Sequence, residues 1–359
     1  MINRKSHIPL YVQLANILRE QIRSGEIKPG SKLPSETEMI QQYNLGRLTI
    51  RDALAILANE NLIEKQHGKG TFCKTNLLQS QYRIHVLLNL TDVYFIPHYL
   101  QSICGVLEKA DANVILCDTK NNEEHICNLL KKIITEGSDG ILIQPSPDAT
   151  NPSEKLIQMF QRLIRAGIPY IMIDSSYTKV PQSYVVMDEF RAGAIAAEYF
   201  TSIGHKSLCM VALQGFSDSE QRMKGFADTL SIQPYRINFS QNLQQELATM
   251  LSVRGDITGI FCHNDEIAKK CYEILNQLSI SIPDRISILS VDDTIIASTL
   301  TPPLTSIVHP KGFLGEDAAS ALISIISGET IWPYQKIFEP MLNIRSSCKN
   351  FSLLHARNS

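Results

Sequence analysis

The sequence contains no apolar run approaching the roughly 20 residues that a membrane-spanning helix needs. Its 8 cysteines, at 73, 104, 117, 127, 209, 262, 271 and 348, include no Cys-x-x-Cys pair and no spacing suited to a metal. There is no glycine-rich phosphate loop, no His-Glu-x-x-His, no nucleophile elbow and no lysine set up for a cofactor. These absences argue against an enzyme, so no catalytic residue, metal or cofactor is expected. The opening segment MINRKSHIPLY lacks an apolar targeting region. With scattered cysteines, several in apolar strand-like runs (Cys117, Cys209, Cys262) and so expected to be buried thiols, the expectation is a reducing cytoplasm and no membrane partner. Charge of one sign is also scarce, with a net of −2. Divided by segment it says more: residues 1–76 hold 11 Lys/Arg against 7 Asp/Glu, and the remainder 23 against 29. A basic head on an acidic body fits nucleic-acid binding confined to one end.

What is present begins with residues 34–72. Ser35 followed by Glu38 is a capping box, and Pro34 keeps the chain from being helical earlier. Met39, Ile40 and Tyr43 give one apolar stripe. Asn44-Leu45-Gly46 makes a turn, with Gly46 expected to relieve its steric strain. The next helix is predicted from about Arg47 to Asn59, with a core stripe of Ile50, Ala53, Leu54 and Leu57. Arg47 and Arg51 are four apart and share a flank, with Leu48 and Thr49 on the same first turn. Leu62-Ile63 leads into EKQHGKGTF, where Gly68 and Gly70 around Lys69 read as a hairpin tip carrying His67 and Lys69. Singly, the arginines read as a solvated helix face and Gly-Lys-Gly as an ordinary turn. Together, in this order, they describe a winged helix-turn-helix (α+β), with the second helix for the major groove and the hairpin for the phosphate backbone.

That combination resembles the GntR family of bacterial repressors, and IPLYVQLANILREQIRSGEIKPGSKLPSE resembles that family's first helix, short strand and approach to the second helix. Leu10, Leu14, Ile17, Leu18 and Ile22 are the expected buried face of the first helix. The likeness covers roughly residues 8–73. It implies contacts to operator DNA from Arg47, Thr49 and Arg51, and from His67, Gly68 and Lys69 of the wing; Leu48, on the same first turn, is a candidate beside them. One departure is Gly46, where the family often places Ser or Thr.

From residue 82 the pattern changes. IHVLLNL (84–90), NVILC (113–117), GILIQ (140–144) and YIMID (170–174) read as buried strands, with helices near 97–110, 123–136 and 152–167 between them. A second set follows: YVVM (184–187), LCMVAL (208–213), ITGIFC (257–262) and ISILSV (286–291). Strands alternating with helices imply parallel sheets, and two sets imply two lobes of an α/β fold with a cleft at the strand ends. Tyr94, Phe95, Asp174, Asn264, Asp265, Asp292 and Asp293 follow strand ends, and Arg222 lies in SDSEQRMKGF. Carboxylates, an amide and an arginine near aromatic rings suit a sugar, although each acidic residue could instead cap a helix.

AGIPYIMID, YFTSIGHKSL, RMKGF, FCHNDEIA, IPDRISILSVDD and PPLTSIVHP resemble the effector domains of the LacI family, which share the type I periplasmic-binding-protein-like fold. The resemblance implies ligand contacts from Arg222, Asn264 and Asp292, with Asp174 and His309 at further ligand positions; Asp265, past the same strand end as Asn264, is a candidate contact beside them. Leu289-Ser290-Val291 departs from the glycine and aromatic common there. The pairing of the two modules is similar to the arabinose-responsive repressors of Gram-positive bacteria. The expected organisation is a DNA-binding domain at 1–76, a linker at 77–81 and an effector-binding and dimerisation domain at 82–359. The expected function is a homodimeric repressor on double-stranded operator DNA, released by a sugar, L-arabinose or another pentose. A regulator of the same architecture sensing a purine or nucleoside is the alternative, and a transport receptor is disfavoured by the DNA-reading head.

Overall fold

The computed structural model describes residues 2–4, 8–60, 62–66, 68–74, 82–91, 95–146, 149, 151–181 and 183–351. The proposed linker 77–81, the wing residue His67 and Tyr94 lie outside the described residues. Two compact units emerge. The first holds residues 1–146, 151–185 and 312–336, and the second 147–150, 186–311 and 337–359.

The first unit opens with α1 (Leu10–Arg23), α2 (Glu36–Tyr43), α3 (Arg47–Asn59) and an antiparallel hairpin of β1 (Ile63–Gln66) and β2 (Gly70–Cys73). α2 starts where the sequence says it must. Ser35 Oγ accepts from the Glu38 N–H, and Glu38 returns a bond to the Ser35 N–H at 2.7 Å. Leu14, Leu18 and Ile22 of α1 close over Met39, Ile50, Ala53 and Leu57, while Leu10 and Ile17 are only partly buried. The turn corrects one expectation. Asn44 takes the left-handed conformation, φ 52°, while Gly46 is the extended N-cap of α3 at φ −67°. Any residue could adopt the Gly46 backbone. The hairpin tip does need its glycines, since Gly68 and Gly70 have φ +74° and +120°. A third short edge joins the wing through a Lys32–Phe72 bridge.

The same unit continues with β3 (Tyr82–Leu88), α4 (Ile96–Lys109), β4 (Ala112–Asp118), α5 (Glu123–Glu136), β5 (Gly140–Ile143), α6 (Glu154–Ala166), β6 (Tyr170–Ile173) and β7 (Tyr184–Met187), which runs into the second unit. Asn122 and Ser153 cap α5 and α6 through their side chains, and Gly167 ends α6 in the left-handed conformation. The second unit follows with α7 (Glu189–Ser202), β8 (Leu208–Ala212), α8 (Ser217–Thr229), β9 (Tyr235–Asn238), α9 (Leu243–Val253), β10 (Gly259–Cys262), α10 (Asp265–Gln277), β11 (Ser287–Asp292), α11 (Ile295–Thr299) and β12 (Thr305–Val308). α12 (Lys311–Ile326) then returns to the first unit and packs Gly315 against Ser102 and Ile103 of α4. β13 (Gln335–Phe338) and β14 (Met341–Asn343) complete the two sheets.

The strand orders are β4-β3-β5-β6-β7-β13 and β9-β8-β10-β11-β12-β14, one pattern used twice. β3–β7 pair in parallel, as do β8–β12, and β14 is antiparallel to β12. YVVM, expected in the second set, instead pairs with β6 of the first sheet through Met172–Tyr184. In the second sheet Cys209, Val211, Ile260 and Ile288 face one apolar cluster, and Leu208, Met210, Phe261 and Leu289 the other. Both faces are covered, which is why these strands read as unbroken apolar runs. Cys209 and Cys262 are buried thiols as expected, but Cys117, on edge strand β4, is only partly covered. Among the described residues no helix is long and apolar enough to cross a membrane, and no His/Cys/Asp/Glu group could hold a metal.

Three histidines are enclosed in these cores. His85 bonds Ser138 Oγ at 2.8 Å, and His205 bonds Thr258 Oγ1 at 2.7 Å between the rings of Phe200 and Phe351. Burial holds His85, His205 and His263 down at about 4. Each is neutral when folded, whereas the unfolded chain protonates near pH 6.5. Stability is therefore complete above about pH 6.5 and is lost as pH falls toward 4, each histidine contributing up to about 3 kcal/mol. Urea unfolding at pH 7.5 and 5 checks this; a chain more stable at pH 5 would mean that the histidines are charged inside.

Candidate nucleic-acid interface and ligand site

The N-terminal turn of α3 is open to solvent. Arg47 is exposed and has no hydrogen-bond or ion-pair partner among the described residues, and Leu48 is 74% exposed. Thr49 is half-buried. Arg51 donates from Nε to both oxygens of Glu36, at 3.2 and 3.0 Å, and Lys65 reaches the same carboxylate at 3.9 Å. A pair this exposed contributes about 0–1 kcal/mol. A bidentate guanine contact, about 1–3 kcal/mol, exceeds it. Glu36 was not foreseen as a partner of this arginine, since its only sequence signal is an acidic residue in the first turn of α2. Gly46 offers α3 no side-chain cap, and a Cβ there would meet only Thr49 Oγ1, 4.0 Å away. Gly68 and the exposed Lys69 sit at the wing tip.

In the first unit the ends of β3, β5 and β6 are tied in a row. Gln144 Oε1 accepts from the Asn89 N–H at 3.2 Å, and Gln144 Nε2 donates to Asp174 Oδ2 at 3.1 Å. Asp174 holds φ +76° and donates its N–H to Val185 O. Gln144 is a residue that sequence reasoning passed over, although it ends the GILIQ run. Phe95 is half-buried at the start of α4, its ring 6.2 Å from Tyr99.

In the second unit one helix crossing builds the site. A Cβ on Gly193 of α7 would lie 1.9 Å from Arg222 O of α8, and a Cβ on Gly225 would lie 1.9 Å from Phe190 O. Two mid-helix glycines, each costing about 1 kcal/mol against alanine, permit this backbone approach. It brings Arg222 beside Glu189. Arg222 is buried, donating from Nε and Nη2 to Glu189 at 2.5 and 3.2 Å and from Nη1 to His263 O at 2.9 Å. Asp292 Oδ1 is 3.7 Å from Nη1 and Asp218 Oδ2 4.0 Å from Nη2. Asp292 has φ +109°, is buried, and its Oδ1 accepts no hydrogen bond among the described residues. Lys311 Nζ donates to the Asp292 carbonyl. Burial opposes the Arg222 charge, but Glu189 and Asp292 outweigh it and hold the guanidinium protonated. Burial also pushes the Glu189 and Asp292 carboxyls up, against the pull of Arg222.

The remaining residues divide. Asn264 caps α10, its Oδ1 accepting from the Ile267 N–H at 2.9 Å, while its amide nitrogen makes no hydrogen bond among the described residues. His309 is buried just past β12. Asp265 corrects the expectation of a ligand contact. Its two oxygens accept from Ser290 Oγ, Ser306 Oγ, Thr294 N and Thr294 Oγ1 at 2.6 to 2.8 Å, so the carboxylate ties β11, β12 and α11 together. Asp293 is likewise engaged by Arg345 and Asn343. Ser290, in the departure noted in the sequence, supplies the β11 bond of that tie. Glu189, His263 and Asp218 were missed. Glu189 stands two residues past the YVVM strand, where the strand-end rule points, had it been applied there.

This arrangement presents buried donors and acceptors beyond parallel strand ends, at the point in each sheet where strand order reverses between β3 and β5 and between β8 and β10. It can bind and orient a polar molecule. Comparison with known proteins agrees. Residues 10–73 match the model of bacterial regulatory proteins of the gntR family, and residues 197–348 match that of a periplasmic binding protein-like domain. The chain joins a gntR-family head to a periplasmic-binding-protein-like body. Arabinose metabolism transcriptional repressors from Halalkalibacterium halodurans and Geobacillus stearothermophilus are each 28% identical to it, over 92% and 96% of this chain and 96% and 99% of theirs. Among solved structures, a LacI family transcriptional regulator from Enterococcus faecalis with bound ribose is similar, at 26% identity and TM-score 0.64 over 75% of this chain and 99% of that one. The likeness of head and body together to transcriptional repressors, over nearly the whole chain, makes it a transcriptional regulator and not an enzyme.

The glycine crossing yields a test. Gly193→Ala and Gly225→Ala each gain helix propensity yet must push α7 and α8 apart, a net loss of at least about 1–3 kcal/mol. Urea unfolding measures it; unchanged midpoints would mean that the two backbones are not in contact.

Proposed function

We propose that this regulator is a homodimeric repressor whose operator binding is relieved by a free pentose, L-arabinose in the first instance, and that it works in the cytoplasm. The observation that carries the reading is the Arg222–Asp292 pair. Both groups are buried, 3.7 Å apart, with the Asp292 acceptor unbonded. One hydroxyl seated there accepts from the guanidinium and donates to the carboxylate, and the amide of Asn264 and the ring of His309 supply further polar partners from the same strand ends. Replacing water with such fixed partners is how a site recognises a polyol, and a ligand lacking the hydroxyl leaves the buried Asp292 acceptor unpaired at a cost of about 1–3 kcal/mol. Asp174 and Phe95 are proposed as further contacts. The repressor names of the relatives and the ribose of the structural neighbour support the same ligand class.

In the head, Arg47 and Arg51 are proposed to read bases from the major groove, with Leu48 and Thr49 beside them, while Gly68 and Lys69 lay the wing on the phosphate backbone. His67 belongs to the same proposed wing contact. Dimerisation follows from the small footprint of one head and the two-fold symmetry of operators for such modules.

The tests separate the two ends. Arg47→Ala or Arg51→Ala should weaken cognate operator binding by about 1–3 kcal/mol, whereas Lys69→Ala should weaken all duplexes alike and lower the salt slope by about one. Fluorescence anisotropy at several salt concentrations reads both, and operator affinity unmoved by either arginine would put the reading face elsewhere. Calorimetry with L-arabinose, other pentoses and purines tests the pocket. Arg222→Ala should abolish sugar binding while sparing operator binding. Operator affinity that rises with sugar would make the sugar a co-repressor and defeat the release mechanism.

A further inference from the structure

α1 buries two faces, and the head accounts for only one of them. Leu14, Leu18 and Ile22 belong to the head's apolar cluster. Val12 does not, yet it is 2% exposed. With Asn16 and Arg19 it forms a separate stripe at helical spacing. Val12 lies against Gly167, the left-handed C-cap of α6, where a Cβ would come within 2.2 Å of Val12 Cγ1. Only glycine tolerates both that backbone and that neighbour. Beside it Tyr11 Oη donates to Arg165 O at 2.7 Å, and Tyr82 Oη of β3 donates to Glu20 at 2.6 Å.

Arg19 joins three elements. It is 9% exposed and donates from Nε and Nη2 to Glu60 at 2.9 and 2.5 Å and from Nη1 to Asn16 at 2.5 Å. Asp139, at the foot of β5, lies 4.0 Å from Nε, and its other oxygen accepts from the Arg83 N–H at 2.8 Å. Glu60 is the C-cap of α3. The guanidinium therefore stands between the end of the helix that carries Arg47 and Arg51 and the carboxylate of the first lobe. Glu60 and Asn16 belong to the head, so Asp139 is the partner by which the lobe engages this guanidinium.

We propose that the second face of α1 is a docking surface for the chain's own first lobe, and that an effector signal reaches α3 through Arg19 and Glu60 rather than through the linker. The signalling half rests on the function proposed above; the docking half does not. Head and first lobe then move as one body, and displacement of the lobe displaces the DNA-reading helix.

The single tryptophan, Trp332, is a native reporter. It lines a cavity of about 360 Å³ together with Ile17, Glu20 and Gln21 of α1 and Ile326 and Ile331. In the full chain Val12→Asp, from the head side, and Asp139→Lys, from the lobe side, should undock α1. Acrylamide quenching of Trp332 should rise in both, with unchanged circular dichroism. Sugar affinity should hold at the wild-type value. The ratio of operator affinities without and with L-arabinose, expected at roughly 5- to 150-fold in wild type, should fall toward one. Wild-type quenching in both folded variants overturns the docking, and raised quenching with an intact ratio overturns the signal route. A wild-type chain with no ratio at all overturns the signal route along with the sugar-release reading, and leaves quenching to decide the docking.

Discussion

The approach of α7 to α8 is the constraint from which the second lobe's site follows. Side chains normally hold helix axes 8–10 Å apart. Gly193 and Gly225 remove them at the crossing, each helix seating a glycine under a carbonyl of the other. Glu189 and Arg222 stand one turn from those glycines, so the crossing fixes their distance. His263 O and Asp292 then meet the same guanidinium from two neighbouring strand ends. A longer side chain at either glycine would move a charge pair and not merely a packing contact.

That charge pair explains how a buried arginine is held in the site. A buried arginine is tolerable only if its donors are occupied. Glu189 occupies two and a backbone carbonyl a third, which leaves the edge toward Asp292 and Asp218 for something else. The Asp292 backbone, at φ +109°, sits where non-glycine residues rarely go and carries about 1–3 kcal/mol of strain. Lys311, bonded to its carbonyl, helps to hold it there. Asp265 does the quieter work beneath, spending all of its acceptors on the scaffold.

The sequence was most legible where a local rule has one solution. Ser35 and Glu38 marked a helix start, the strands buried on both faces announced themselves as apolar runs, and Gly68 and Gly70 marked a tip. Two edge strands were not legible: Tyr-Arg-Ile-Asn at β9 and Gln-Lys-Ile-Phe at β13 are largely exposed and carry little apolar pattern. The reach of YVVM into the first sheet depends on a long-range pairing that periodicity cannot encode. Asn264 and Asp292 could be named because they follow strand ends, and Arg222 because RMKGF resembles a ligand-binding segment of the LacI family. Whether an aspartate there faces a ligand or the scaffold depends on which hydroxyls surround it, and Ser290, Ser306 and Thr294 decided that for Asp265 from 25 to 41 residues further along the chain. The second face of α1 was hidden for a similar reason: Val12 and Arg19 look like a stray apolar residue and a surface charge until Gly167 and Asp139 are placed beside them.

The order in which the chain visits its units has a consequence for biosynthesis. Residues 10–73 close an apolar cluster of their own early in synthesis, while the second face of α1 waits for the first lobe. The first lobe itself closes late. α12, which covers α4 and β5, is drawn from residues 311–326, and β13 lies beyond it. Until the intervening stretch of residues 186–311 has been made, the backbone of β5 at Gly140, against which Leu322 and Ile326 pack, stays uncovered. Nascent chains truncated anywhere in that stretch present an unfinished apolar surface, the kind that draws chaperones, with the closed cluster of the DNA-reading head already attached.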